Sequence, residues 1–246
     1  MGIPSYFERI NALHETKLKF NDIKLQRLGS YNFDDHGWIP FDEPIEFEIV
    51  KDPESGYVNG MDAVSKTFAN YLDAHPVYIH PMSAFAGAWA GNVPGMGGPW
   101  KPQHIFKEQE PLFEKYNITS RGLYGMNHSG PDLKIGFDLG WGGLLEKIRF
   151  YRKYNKPVDT TFYDGQERFV EAIQRWIKRH VDYARQEALK ADDEFVKKNL
   201  LEIADINEWL IDNPPRTLRE AMQFICWFQC VDRMYFNGGA GQEIDK

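Results

Sequence analysis

The sequence predicts a mainly α-helical protein with a few short strands. Three observations carry that expectation. Through most of the second half, apolar residues recur every three to four positions, the spacing of a helix face. Residues 75–104 are so dense in Gly and Pro that no regular element can cross them. Only residues 45–50 (IEFEIV) set apolar Ile45, Phe47 and Ile49 against Glu46 and Glu48 in the two-residue alternation of a strand.

Taken in order, residues 5–19 form a short amphipathic helix behind Pro4-Ser5, with Tyr6, Ile10, Leu13 and Leu18 on its apolar side. Asp62 is placed to cap a helix reaching about residue 73, striped by Val64, Phe68 and Leu72. A long loop such as 75–104 is either functional or packed against the rest of the protein. Residues 106–116 read as a helix ending in a turn at Asn117. A further helix runs from about Phe137 to residue 154, although Gly136, Gly140, Gly142 and Gly143 fall in or beside it. Each interior glycine costs about 1 kcal/mol, a cost tolerated where another part of the chain presses on the bare backbone. Residues 166–190 are the longest helix, with Phe169, Ile173, Ile177, His180 and Ala184 on one face, and residues 192–211 follow. Pro214-Pro215 ends that run. Thr217 and Glu220 then have the spacing of a capping box, opening a helix apolar almost all round: Leu218, Met222, Ile225 and Cys226 on one side, Ala221, Phe224, Phe228 and Val231 on another. Such a helix is central, and it delivers the glycine-rich turn 237–241.

A chain of 246 residues with 42% hydrophobic and 26% charged residues is long enough for a sizeable core. Its net charge of −7 disfavours nucleic acid and anionic membranes as partners, because both reward a basic face. The aromatic share of 15% suits large buried surfaces or a ligand cavity. No apolar run is long enough to span a bilayer, and two cysteines without a secretory signal point to a reducing, cytoplasmic setting.

The residues that could carry chemistry each have a plainer reading. The 87–98 stretch (GAWAGNVPGMGG) lacks the Gly-Lys-Ser/Thr ending of a phosphate loop. His75, His80 and His104 lack carboxylate or thiolate partners at metal-ligand spacing, so no metal is expected. Cys226 and Cys230, inside an apolar helix, read as core. His180, on the apolar face of the long helix, reads as a satisfied core histidine. His128, four residues before Asp132 in a turn bounded by Gly and Pro, is placed either for hydrogen bonding or for tying down its loop.

Two segments in order add more: 125–151, with Gly125, His128, Pro131, Asp132 and then Gly140 to Ile148, and 213–245, with Pro214, Pro215, Glu220, Ala221, Gln223, Gly239, Gly241 and Asp245. Together they resemble the N-terminal part of pyruvate formate-lyase-like glycyl radical enzymes. The resemblance covers 75–246 more closely than 1–74. It implies one incomplete N-terminal domain over 1–246, the helical part of an α/β barrel. In that family a glycyl radical, installed by an iron–sulfur, S-adenosylmethionine-dependent activating enzyme, passes to a cysteine whose thiyl radical takes a hydrogen from a small organic substrate. The outcome is C–C cleavage with coenzyme A (the formate C-acetyltransferase reaction), dehydration, decarboxylation or C–S cleavage.

The family's Gly-Cys-x-Glu and Arg-Val-x-Gly-Tyr loops occur nowhere in this sequence. No catalytic residue and no bound cofactor is therefore expected here, and the expected partners are a second chain carrying both loops, the activating enzyme or another copy of this chain. The resemblance implies contributory residues near the substrate at Gly239, Gly241, Gln242 and Asp245; the segment with His128 and Asp132 is a further cavity candidate, to which the resemblance gives a more structural role. The alternatives are a catalytically silent helical scaffold and a small-molecule binder using the 75–104 loop.

Overall fold

The computed structural model describes residues 3–29, 37–54, 56, 58–91, 93, 110–117 and 132–236. Seven helices are described: α1 Tyr6–Leu28, α2 Gly60–Ala74, α3 Glu110–Lys115, α4 Leu133–Asn155, α5 Thr161–Lys190, α6 Glu194–Leu210 and α7 Leu218–Phe236. Helix α5 is the axis of the fold. It packs against α2, α4 and α6, and α7 lies on α6 and α4. The core gathers on it, with Trp176 and Ile177 of α5 fully buried beside Phe68 and Leu72 of α2, Ile203 of α6 and Trp227 and Met234 of α7. The face expected on α5 is the one that is buried, from Ile173 through Ile177 and His180 to Ala184.

No strand forms among the described residues; the one β-bridge pairs Trp38 with Trp89. The strand expected over 45–50 is extended but has no ladder partner. Side chains of α2 take its backbone groups instead: Thr67 Oγ1 accepts from Val50 N at 3.0 Å and donates to Val50 O at 3.1 Å, and Asn70 Nδ2 donates to Glu48 O at 3.1 Å. The alternation is half kept, since Ile45 and Phe47 pack on the core while Ile49 stays exposed.

Helix boundaries move for local reasons. α1 extends well past residue 19 to Leu28. It opens with a capping box between Ser5 and Glu8 and stops at Gly29, which is left-handed at φ 73°. Asp62 does not cap α2; it sits in the first turn and pairs with Lys66 at 2.6 Å. Asp193 caps α6 by accepting from Phe195 N and Val196 N. At α7 Thr217 Oγ1 accepts from Glu220 N at 3.2 Å as expected, but Glu220 reaches one residue farther back, to Arg216 N at 2.6 Å and to the Arg216 guanidinium. The part of the 106–116 helix that is described is α3, and Asn117 turns the chain at φ 50°.

Helix α7 is less uniformly covered than its composition suggests. Its buried stripe runs through Glu220, Gln223, Phe224, Trp227, Cys230 and Met234, with Ile225 also covered. Leu218 is exposed and Met222 and Cys226 are half-buried. Two polar residues, Glu220 and Gln223, therefore occupy the stripe that apolar patterning would have filled.

Candidate functional site

Gln223, with Arg219 beside it, holds α7 to the 84–93 segment, while Glu220 is taken up by Arg216 and Thr217 at the start of the helix. Gln223 pairs with the Ala86 peptide from both ends: its Oε1 accepts from Ala86 N at 2.8 Å, and its Nε2 donates to Ala86 O at 3.0 Å. Asn207 of α6 backs this pair, donating to Ile203 O and accepting from Trp227 Nε1 at 2.7 Å. Arg219 bridges Ala84 O and Glu202, and Val93 N donates to Met234 O at 2.8 Å. Gly87, at φ 100°, lies so close to the Trp227 ring that a Cβ there would meet it at 2.7 Å. Tyr235 is wedged against Phe68 and Phe169. The last turn of α7, from which residues 237–246 continue, is thus pinned from α2, α5 and the 93 position.

Helix α4 is seated just as closely. A Cβ on Gly136 would come within 2.6 Å of the Phe224 ring, and one on Gly142 within 2.5 Å of Asp212 O. At Gly140 the helix breaks, with φ 63° and ψ −178°, and a Cβ would fall 2.4 Å from the Asn213 carbonyl carbon. Gly142 N donates to Asp212 O at 2.8 Å. The close backbone approach expected from the glycines is therefore present, and what approaches is the α6–α7 corner together with Phe224. Trp141 stacks on Phe224 at 4.9 Å and completes that contact.

Of the residues expected at a substrate cavity, Asp132 is the one described. It is the N-cap of α4, its carboxylate accepting from Lys134 N at 3.1 Å, and its side chain is exposed. This is a helix-capping role. His128, Gly239, Gly241, Gln242 and Asp245 lie outside the described residues, as do His104 and most of the 87–98 glycine stretch. What sequence reasoning missed is the Gln223–Asn207–Ala86 network. Its signal was a Gln and a Glu inside an otherwise apolar helix, positions that must find partners when buried.

The cysteines offer no ready nucleophile. Burial pushes the Cys226 thiol up to about 11, and the Cys230 thiol is raised further by burial and by the neighbouring thiol. Neither is appreciably ionised at neutral pH, which fits the core reading. His75 is fully buried in one tautomer: Nδ1 donates to Pro76 O at 2.8 Å, while Nε2 accepts from Ala90 N at 3.1 Å. Burial lowers its pKa to about 4. His180 is a core histidine satisfied on one side only: Nδ1 donates to Trp176 O at 2.9 Å and burial lowers its pKa to about 3, while its Nε2 and the Trp176 Nε1 have no hydrogen-bond partner among the described residues. Among the described residues no group of three or more His, Cys, Asp or Glu is placed to hold a metal ion, and no helix is long and apolar enough to cross a membrane.

A cavity of about 200 Å³ lies between α1 and the 37–39 and 78–88 segments, walled by Phe20, Trp38, Tyr78, His80 and Phe85. His80 is fixed across it, Nδ1 accepting from Met82 N and Nε2 meeting Thr16 Oγ1 at 3.1 Å. A larger, charged cleft of about 480 Å³ opens among Arg9, Phe195, Lys198, Glu202 and Arg219.

Comparison with known proteins bears on both helices. The sequence pattern of the pyruvate formate lyase-like family matches residues 103–243, a span that contains α4 to α7. No curated protein matches the sequence. Among solved structures, the fold is similar to the glycerol-bound form of the B12-independent glycerol dehydratase from Clostridium butyricum, with a TM-score of 0.62 and 14% identity over 96% of this chain and 35% of that one. Hydroxyproline dehydratase from Clostridioides difficile, solved with trans-4-hydroxy-L-proline bound, gives 0.59 and 14% over 95% of this chain and 35% of that one. A glycyl radical enzyme from Archaeoglobus fulgidus gives 0.54 and 14% over 89% and 32%. The chain spans about a third of the length of these structures, and at such identities the fold is what they share. With more than half of its residues matched to the family pattern, the chain belongs to the pyruvate formate lyase-like family.

Proposed function

We propose that the chain forms the N-terminal helical portion of a glycyl radical enzyme acting on a small organic substrate, and that it is not competent alone. The observation that carries this reading is the family match over 103–243, which takes in segment 125–151 and all of 213–245 but its last two residues, Ile244 and Asp245. Cys226 is half-buried and Cys230 buried, burial raises both thiols so that they stay protonated, and both are outside any Gly-Cys-x-Glu loop. The thiyl cysteine and the radical glycine would therefore come from residues beyond these 246, and the radical would be installed by an iron–sulfur activating enzyme. The contribution of this chain is positional. The pinned end of α7 would present Gly239, Gly241, Gln242 and Asp245 to the substrate, with His128 and Asp132 on the approach to α4. Dehydration is the first reaction to test, because two of the similar structures are dehydratases of hydroxylated substrates.

The test reassembles the enzyme from this chain, a polypeptide carrying both radical loops, and an activating enzyme, then assays glycerol and trans-4-hydroxy-L-proline. Asp245→Asn and Gly241→Ala should lower turnover while leaving the glycyl radical signal in place. Unchanged turnover would remove those residues from the site. A second reading, a small-molecule binder, draws on the aromatic-walled cavity beside His80. At about 200 Å³ it falls below the usual range of ligand pockets, roughly 300–1,000 Å³. A ligand seated there would raise the melting temperature of the chain alone.

A further inference from the structure

The walls of the cavity beside His80 are set before any ligand arrives. His80 is locked in one tautomer: Nδ1 accepts from Met82 N at 3.1 Å, so Nε2 carries the proton and donates to Thr16 Oγ1 at 3.1 Å. Thr16 in turn donates to Ala12 O at 3.0 Å. Trp38 Nε1 donates to Ala90 O at 2.9 Å, and the Trp38–Trp89 bridge holds its backbone. Ser83 Oγ donates to Phe85 O at 2.8 Å and accepts from Phe85 N at 3.0 Å. Phe20 stands edge-on to Tyr78 with centroids 6.0 Å apart. Walls fixed in this way lose little freedom when a ligand enters.

Size, shape and charge then limit the occupant. At about 200 Å³ the cavity is too small for a drug-sized ligand. Apolar cavities of about 150 Å³, however, hold one benzene ring. Phe20, Trp38, Tyr78 and Phe85 offer ring faces and edges, against which another ring packs offset or edge-on. No carboxylate lines the cavity, so a cation inside it would lack a counter-charge. Lys17 already has an interaction within the fold, and burial holds the His80 imidazole below its usual pKa, so it is neutral at pH 7. The favoured occupant is therefore uncharged. The Asn21 amide and the Tyr78 hydroxyl belong to the wall and make no hydrogen bond among the described residues. A hydroxyl on the ligand could serve them as both donor and acceptor.

We propose that this cavity binds a single uncharged aromatic ring bearing a hydroxyl group; the proposal rests on the small-molecule-binder reading of the same cavity and names its ligand class. No residue of α7 lines the cavity, so the site is separate from the residues proposed to meet the substrate of a radical enzyme. The probe is 4-fluorophenol, followed by fluorine NMR against the 246-residue chain. Its signal should shift and broaden saturably, and phenol should displace it while glycerol and benzylammonium do not. Leu13→Trp, which enlarges a wall side chain, should weaken binding by about tenfold or more. Asn21→Leu with Tyr78→Phe removes the polar partners at nearly constant volume. That variant should weaken 4-fluorophenol about tenfold and leave fluorobenzene unchanged. Equal wild-type binding of fluorobenzene and 4-fluorophenol would overturn the proposal, as would unchanged binding by both variants. Displacement by glycerol or benzylammonium but not by phenol would overturn the ligand class and leave the cavity a binder. No saturable change with any of these compounds would overturn the binder reading with it. Turnover of a reassembled radical enzyme is a separate readout that none of these outcomes moves.

Discussion

Gly140 stands at φ 63° and ψ −178°, a conformation open essentially to glycine alone, and its missing Cβ leaves room for the Asn213 carbonyl carbon. Gly140→Ala should therefore cost at least about 3 kcal/mol by urea unfolding, combining backbone strain with a backbone overlap. Gly143, whose Cβ would meet only the Leu139 side chain at 3.1 Å, is the control: Gly143→Ala should change stability by less than about 1 kcal/mol. Equal losses would mean that the α4 break is not what seats the helix. The buried imidazoles make a second prediction. His75 and His180 titrate at about 4 and about 3 in the folded protein, against 6.5 unfolded. Below about pH 6.5 the unfolded chain takes up protons that the folded one refuses. Their contribution is therefore complete above pH 6.5 and is lost as the pH falls toward 4, at up to about 1.4 kcal/mol per pH unit for each histidine. Unfolding free energies at pH 7 and pH 5 should show this drop, and His180→Gln should make it shallower; an unaltered slope would assign the drop to other groups.

Buried polar pairings fix helices to loop segments and helix ends, alongside the apolar core. Gln223 is the clearest case, since it satisfies both groups of the Ala86 peptide from within the apolar stripe of α7. Gln223→Leu would leave that buried N–H and C=O unpaired, a loss of roughly 2–5 kcal/mol, with faster amide exchange at Ala86 as the local readout. A loss under about 1 kcal/mol would mean that the 84–93 segment is held by Arg219 and the Trp227–Gly87 contact instead. Arg179 does similar work for α2, donating to the carbonyls of Leu72, Asp73 and His75 where that helix has no basic residue in its own last turn. Such partners, more than a hundred residues apart in the chain, are invisible to periodicity. Periodicity did find α6 and the end and buried face of α5 closely, because an amphipathic face repeats locally, although α5 opens at Thr161 and not at residue 166. It placed the start of α4 late, since Gly136 and Gly140 weaken a helical pattern whose support comes from Phe224 and residues 212–214. It also read 45–50 as a strand, because alternation reports which side is buried and not whether a neighbouring strand exists. The site was legible only through the order of two motifs; of the residues it pointed to, Asp132 turns out to cap α4.

As a whole the molecule is a helical layer built on α5, with α7 laid across it so that its C-terminal turn is fixed by Val93, Phe68 and Phe169. In the proposed reading, residues that follow α7 would meet a radical-bearing segment supplied by the rest of the enzyme. The central claim is that this chain completes the substrate chamber of a glycyl radical enzyme without carrying the radical. The most direct measurement is turnover of glycerol by an activated polypeptide bearing the cysteine and glycine loops, with and without this chain, with the glycyl radical quantified by electron paramagnetic resonance in both samples. The account predicts a radical on the loop-bearing polypeptide and product only when this chain is present. Equal product formation in its absence would contradict it.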